Sequence, residues 1–243
     1  MAIAATRCKV DLNSCDSVES PVPSSVRVIP RSRRSVTGYQ TFRRQQSIQY
    51  ESTLERDFIV RQEFDLAVAQ VISQPCRIPF TTPSGRQSHY TPDFLVVFRT
   101  NSAPPNLQSK PLLIEVKPEA DWRRHWREWL GKWKTARRYA ASQGWRFCIM
   151  DESRIRTQAL SNIQFLRRYR DTAFPVEESD SIIKDVRGLG SATFDYLLAK
   201  HFQGIYAAEG VAHLWGLLAQ RRLDCDTCLT LGGSTELWVP DEA

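Results

Sequence analysis

The run Leu112-Leu113-Ile114-Glu115-Val116-Lys117 constrains the fold more than any other stretch of the chain. A short, nearly continuous apolar run of this kind belongs to a buried strand. Side chains alternate faces along a strand, so Leu113, Glu115 and Lys117 share one side and Leu112, Ile114 and Val116 the other. A carboxylate and an ammonium closing such a strand need a reason, because desolvating charge is costly. They either pair with each other or belong to a site. Residues 119–142 follow with strong helical periodicity, ended by Gly144, and RFCIM reads as a second buried strand. Upstream, Leu54, Phe58, Phe64, Val68, Val71 and Ile72 recur at helical spacing, which predicts a helix over about 52–73, with Ser52 as N-cap and Glu55 completing a capping box. CRIPF and HYTPDFLVVFR read as strands around a TTPSGRQ turn. The order helix, strand, strand, strand, helix, strand predicts an α/β domain with helices on both sheet faces.

Length and charge place the remaining segments. The 243 residues suit one to two domains. Residues 1–50 show no sustained period, and SPVPSSVRVIPRSRR reads as an extended basic arm. Residues 121–170 hold 13 basic and 4 acidic side chains, whereas residues 171–243 hold 5 and 12. A polyanion partner is therefore expected before residue 171 and a protein partner after it. Beyond Phe174-Pro175, SATFDYLLAKHF and YAAEGVAHLWGLLAQRRL read as amphipathic helices, and a Gly-Gly turn leads into STELWV as a strand. Helices followed by a strand pair fit a small winged-helix-like module. The predicted organisation is a flexible arm over 1–40, a catalytic domain over 41–172 and a C-terminal domain over 173–243. No run approaches a membrane span, the N-terminus lacks a signal-peptide core, and the six scattered cysteines read as reduced thiols. A cytosolic or nuclear protein is expected.

Asp93 stands at the start of the apolar strand of Tyr90-Thr91-Pro92-Asp93-Phe94, directly after a proline, and Glu115 lies 22 positions later. Two neighbouring strands then present Asp93, Glu115 and Lys117 at one end of the sheet. Hard oxygen ligands of this kind suit Mg²⁺, which takes one or two carboxylates plus waters and phosphate oxygens. Lys117 is suited to positioning the attacking water and to stabilising phosphorane charge. A further carboxylate would come from the helix at 52, where Glu55 competes with Glu51 and Asp57 and also reads as a plain capping residue.

The P-D and E-x-K pair resembles the PD-(D/E)xK nuclease superfamily. The longer series ESTLERDFIVRQEFDLAVAQVISQP, YTPDF and IEVKP is similar to the TnsA-type endonuclease subunit of heteromeric cut-and-paste transposases, over roughly residues 35–240. The resemblance selects Glu55, Asp93 and Lys117 as catalytic, with Glu115 at a position where the family tolerates Gln. It implies a restriction-endonuclease-like core, a mixed sheet flanked by helices, followed by the winged-helix-like domain. Two Mg²⁺ ions are implied at Glu55, Asp93, Glu115 and the Val116 carbonyl, with Mn²⁺ substituting. The implied activity is cleavage of the 5′, non-transferred strands of double-stranded DNA at transposon ends, in a bacterial cytoplasm. A DDE-class, TnsB-like transposase would cut the 3′ ends, and an AAA+ ATPase regulator, TnsC-like, would dock on the C-terminal domain. A stand-alone nuclease of the same fold and a non-catalytic adaptor bridging DNA and regulator are the alternatives.

Trp122, Trp126, Trp129 and Trp133 form one helical stripe, expected to pack on the sheet. Arg123, Arg127, Lys134 and Arg138 form a second, expected to contact phosphates. Arg31, Arg33, Arg34, Arg43 and Arg44 are expected to grip DNA from the arm. Cys225-Asp-Thr-Cys228 lacks a second tight ligand pair, so a zinc site is not expected.

Overall fold

The computed structural model describes residues 25, 36–82, 84–99, 108–202 and 204–240. In chain order, β1 (Gly38–Phe42) and β2 (Gln46–Tyr50) form an antiparallel hairpin. Helix α1 (Thr53–Phe64), strand β3 (Val68–Ser73) and a second hairpin, β4 (Ile78–Thr81) with β5 (Gln87–Tyr90), come next. Then follow β6 (Phe94–Phe98), β7 (Leu112–Val116), α2 (Glu119–Ser142) and β8 (Arg146–Met150). Helices α3 (Glu152–Ile155) and α4 (Gln158–Leu166) lead to the C-terminal part. That part holds α5 (Val176–Leu189), β9 (Ala192–Thr193), α6 (Phe194–His201), α7 (Ala207–Ala219) and β10 (Glu236–Leu237).

One mixed four-stranded sheet, ordered β3-β6-β7-β8, organises the larger domain. β6 pairs antiparallel with β3 and β7, while β8 runs parallel to β7 across the α2 crossover. A parallel neighbour requires such a crossover. Strand alternation sends Val71, Phe94, Val96, Ile114 and Val116 to one face, where Phe58, Ile59 and the first hairpin cover them. Ile72, Leu95 and Leu113 face the other way, under Trp133, Ala136 and Ala140 of α2 and the second hairpin. Residues 119–131 contribute no fully buried side chain to α2; its first half rests on this core through half-buried Trp122 and Trp129, and its second half through Trp133, Ala136 and Ala140.

Several sequence expectations are corrected. The helix expected over 52–73 ends at Phe64, and its last third is strand β3. The register shifts between Val68 and Gln70, a β-bulge that puts Val68 and Val71 on the same core face. That three-residue spacing imitates a helix. Residues 38–50, assigned to an unpatterned segment, form the first hairpin, and HY of HYTPDF belongs to the second hairpin rather than to β6. Helix α5 was not foreseen: buried Ser179, hydrogen bonded to Pro175 O and His213, interrupts its apolar stripe. Helix α2 runs over the expected residues, with Gly144 left-handed just beyond it (φ 75°).

The C-terminal part has its own core of Ile182, Val186, Leu197, Leu214, Leu217, Leu218 and Leu237, and Leu166 of α4 enters it. Leu160 and Ile163 of the same helix pack on Val60 of α1. Helix α4 is therefore a wall shared by both cores. Asn162 reinforces the junction, donating to Thr227 O (2.9 Å) and Leu229 O (2.6 Å). β10 pairs antiparallel with β9, and Trp238 bridges to Asp224. Among the described residues no helix is long and apolar enough to cross a membrane.

Candidate active site

Pro92 lies just ahead of β6, and the Asp93 N–H donates to Ile114 O (3.0 Å), which locks the entry of β6 against β7. Asp93 therefore shares a sheet face with Leu95, as Glu115 does with Leu113. The Val116 N–H donates to Asp93 Oδ2 at 2.7 Å. Lys117 Nζ stands 3.6 Å from both Asp93 Oδ2 and Glu115 Oε1. The expected trio is assembled at one end of the sheet.

Two residues that sequence reasoning missed complete the cluster. Tyr90 donates its hydroxyl to Glu115 Oε2 at 2.6 Å, within the core. Lys132 Nζ lies 3.5 Å from Glu115 Oε1, and sits over the rings of Trp129 (4.7 Å), Tyr90 (5.2 Å) and Trp133 (5.9 Å). The signal was present: Lys132 falls three residues after Trp129 and one before Trp133, a cation on the buried stripe. Such a cation needs a buried anion opposite it.

Glu55 approaches from the opposite sheet face. It sits in the first turn of α1, bound as a capping residue. Its N–H donates to Ser52 Oγ (3.1 Å), its Oε1 accepts from Ser52 Oγ (3.0 Å), and its Oε2 accepts from Glu51 N (2.8 Å). Asp57, a competitor on sequence, is engaged by Arg56 and Arg156, each at 2.9 Å.

The electrostatics are those of crowded carboxylates. Burial, then repulsion from Glu115, raises the Asp93 pKa well above the usual range, with Lys117 opposing. Burial also raises Glu55, against the hydrogen bonds from Glu51 and Ser52. Burial lowers the Lys117 pKa, but Asp93, Glu115 and Glu55 together outweigh it and raise it above the ordinary value. Among the described residues no three His, Cys, Asp or Glu side chains are grouped closely enough to hold a metal ion. A Mg²⁺ ion needs only one or two carboxylates beside carbonyls and waters, so the Asp93–Glu115 pair with its hard oxygens fits one.

The tryptophan stripe is core at Trp133 but not throughout, since Trp126 is 44% exposed. Its neighbours on the basic stripe are exposed. Arg123 pairs with Glu119 and stacks on Trp122, and Arg127 stacks on Trp126. Lys134 and Arg138 are exposed on the same helix. Arg43 and Arg44 form the turn of the first hairpin, whereas Arg31, Arg33 and Arg34 lie outside the described residues. Cys225 is buried and Cys228 exposed, both as free thiols. Burial pushes the Cys225 thiol up to about 12.

A mixed sheet flanked by helices, with a P-D strand and an E-x-K strand converging at one end, defines an endonuclease of the restriction-enzyme-like kind with an added C-terminal domain. Two family models match the chain: TnsA-like endonuclease N terminal over residues 65–152, and TnsA endonuclease C terminal over residues 154–227. The chain belongs to the TnsA-like endonuclease family. The matched span includes Asp93, Glu115 and Lys117, and begins after Glu55. The two matches meet at residue 153, inside α3, whereas the sequence reading divides at 172/173. No curated protein matches the chain.

Proposed function

We propose that this protein is the metal-dependent DNA endonuclease subunit of a heteromeric transposase, cleaving the 5′, non-transferred strands at transposon ends. The observation that carries the reading is Lys117 held 3.6 Å from both Asp93 and Glu115 at one end of the sheet. Asp93, Glu115 and the Val116 carbonyl would hold a divalent cation, Mg²⁺ or Mn²⁺, with Glu55 contributing once its capping bonds release; two ions are the arrangement we favour. When bound, the cation supplies Lewis-acid charge for phosphodiester hydrolysis. Lys117 holds the water that attacks and offsets charge gathering on the phosphorane oxygens. Tyr90 and Lys132 fix the Glu115 carboxylate from two sides. Exposed Arg123, Arg127, Lys134 and Arg138 contact flanking phosphates, with Arg33, Arg34, Arg43 and Arg44 assisting.

The C-terminal domain is read as winged-helix-like and as a docking module for a TnsC-like AAA+ ATPase, while a TnsB-like DDE transposase cuts the 3′ ends. Its acidic balance favours a protein partner over DNA. Five of the eight large apolar side chains exposed among the described residues belong to it: Val176, Leu189, Tyr196, Tyr206 and Leu229. Their concentration on an acidic domain supports docking.

Asp93→Asn is the decisive variant. It keeps an acceptor for the Val116 N–H but removes the charge. Cleavage of 5′ strands on paired ends with Mg²⁺ is expected to be abolished with an unchanged melting midpoint, and transposition with the partner transposase should shift toward cointegrates. Normal cleavage by this variant would refute the assignment.

A further inference from the structure

Asp93 immediately precedes β6 and Arg99 immediately follows it, so the two stand at opposite ends of one strand. At about 3.3 Å per residue they are roughly 20 Å apart. At the Arg99 end lies an open cleft of about 510 Å³ whose lining includes Arg43, Arg44, Arg99, Arg167, Arg170 and Arg221. The carboxylates in the same lining are Glu63 and Asp171. Cations gathered at this density repel one another. Burial, then the neighbouring Arg99, lowers the Arg43 pKa.

Part of this wall is fixed. Glu63 Oε1 accepts from the Arg43 N–H (2.9 Å) and from Arg170 Nη1 (2.6 Å). Arg43 Nη2 also donates to Asp65 O at the end of α1 (2.6 Å). Arg221 grips Asp224 bidentately (2.7 and 2.8 Å), with its guanidinium 4.3 Å from the Phe64 ring centroid. Arg44 pairs with exposed Asp171. The guanidiniums of Arg99 and Arg167 make no hydrogen bond or ion pair with a described residue. Their charge is open to a ligand.

The backbone points the same way. Four non-glycine residues among those described have positive φ: Arg43 (48°), Arg44 (58°), Gln74 (47°) and Arg221 (61°). Three of them are arginines of this one cleft. A left-handed L-residue costs roughly 1–2 kcal/mol, and such strain collects at ligand clamps and active sites. A hairpin turn with two left-handed residues ordinarily takes Asn-Gly; this one takes Arg-Arg.

A second depression, of about 550 Å³, shares Arg43 and Arg99 and adds Gln45, Gln46 and Gln70. Together the two make an elongated groove lined by guanidinium forks and amide donors, which suits an extended polyanion better than a single phosphate. We infer that this groove binds the phosphate backbone of duplex DNA, at the end of β6 remote from the proposed cleavage point. The inference rests on the endonuclease reading, which makes DNA the extended polyanion this chain meets; β6 is covered on both faces, so the groove holds a stretch of duplex separate from the one at Asp93.

The test uses the full chain and an Arg99→Ala/Arg167→Ala double variant, which removes no fold-stabilising partner. Duplex binding is measured against salt, and circular dichroism melting checks the fold. The log–log slope is expected to become shallower by about 1.8, at roughly 0.9 per lost phosphate contact. An unchanged slope overturns the inference. An unchanged slope together with lost polyglutamate binding would make the groove an acidic-protein site instead. A wild type that binds duplex with the full slope but never cuts it would overturn the endonuclease reading and leave the groove standing.

Discussion

At the scale of single residues, the candidate site is a balance between three carboxylates and two ammonium groups. Lys117 was legible because it ends an apolar strand two positions after Glu115. Lys132 carried a signal, a cation on the buried tryptophan stripe, but periodicity alone does not name the anion opposite it. Only the tertiary contact reveals that its ammonium meets Glu115 and an aromatic cage. Lys132→Met is expected to reduce strand cleavage by roughly 10–100-fold, the usual cost of losing a group that orients a metal-binding carboxylate. The melting midpoint should change little, because a methionine fills the same apolar cage. Lys132→Arg is expected to restore much of the rate. Steady-state cleavage by the three proteins measures the effect, and a fully active methionine variant would leave the cage a packing feature only.

Among elements, α1 and β3 show how far the pattern could be read. The N-cap half of the capping box was legible: Ser52 Oγ accepts from the Glu55 N–H, while the Glu55 carboxylate accepts from Ser52 Oγ and the Glu51 N–H rather than from the Ser52 N–H. The strand behind it was not, because a bulge gives Val68 and Val71 a helical interval. Glu55 thus carries a capping role that the structure displays and a metal-binding role that we propose, and substitutions separate the two. Ser52→Ala removes the N-cap acceptor and should cost about 1 kcal/mol, read from denaturant midpoints. Glu55→Gln keeps an acceptor for the Glu51 N–H while removing the charge, so its stability loss should be smaller. Its cleavage is expected to fall at least tenfold, whereas Ser52→Ala should stay active. An active Glu55→Gln protein would reduce Glu55 to a cap.

For the molecule as a whole, the charge asymmetry and the helix-rich C-terminal part were legible, but not the way the two cores share α4. Leu160 and Ile163 face one core and Leu166 the other, a division that periodicity reads as a single amphipathic face. The small domain also holds an acid-sensitive element. His213 is buried, 2.8 Å from Ser179 Oγ and stacked on Phe174 (4.4 Å between centroids). Burial lowers its pKa below the ordinary 6.5, outweighing the carboxylate of Glu178. The folded protein therefore prefers the neutral ring. Its contribution is complete above the unfolded pKa and is lost as pH falls through the depressed folded value. Stability is expected to decline from about pH 6.5 downward, and His213→Gln should flatten that decline. Denaturation midpoints between pH 7 and pH 5 for the two proteins give the comparison; parallel curves would move the sensitivity elsewhere.

The arginine turn of the first hairpin sets stability against charge. Arg44 occupies a left-handed position that glycine adopts without the Cβ penalty, and its partner Asp171 is as exposed as it is, so their pairing contributes little. Arg44→Gly should therefore raise the free energy of unfolding by about 0.5 kcal/mol, after the added entropy of the unfolded chain is subtracted. A library of variants screened for heat resistance would enrich glycine and asparagine at this turn. The survivors would melt later and hold a polyanion less well, so that a thermostability campaign on this protein would steadily erase the groove unless each round also scored binding.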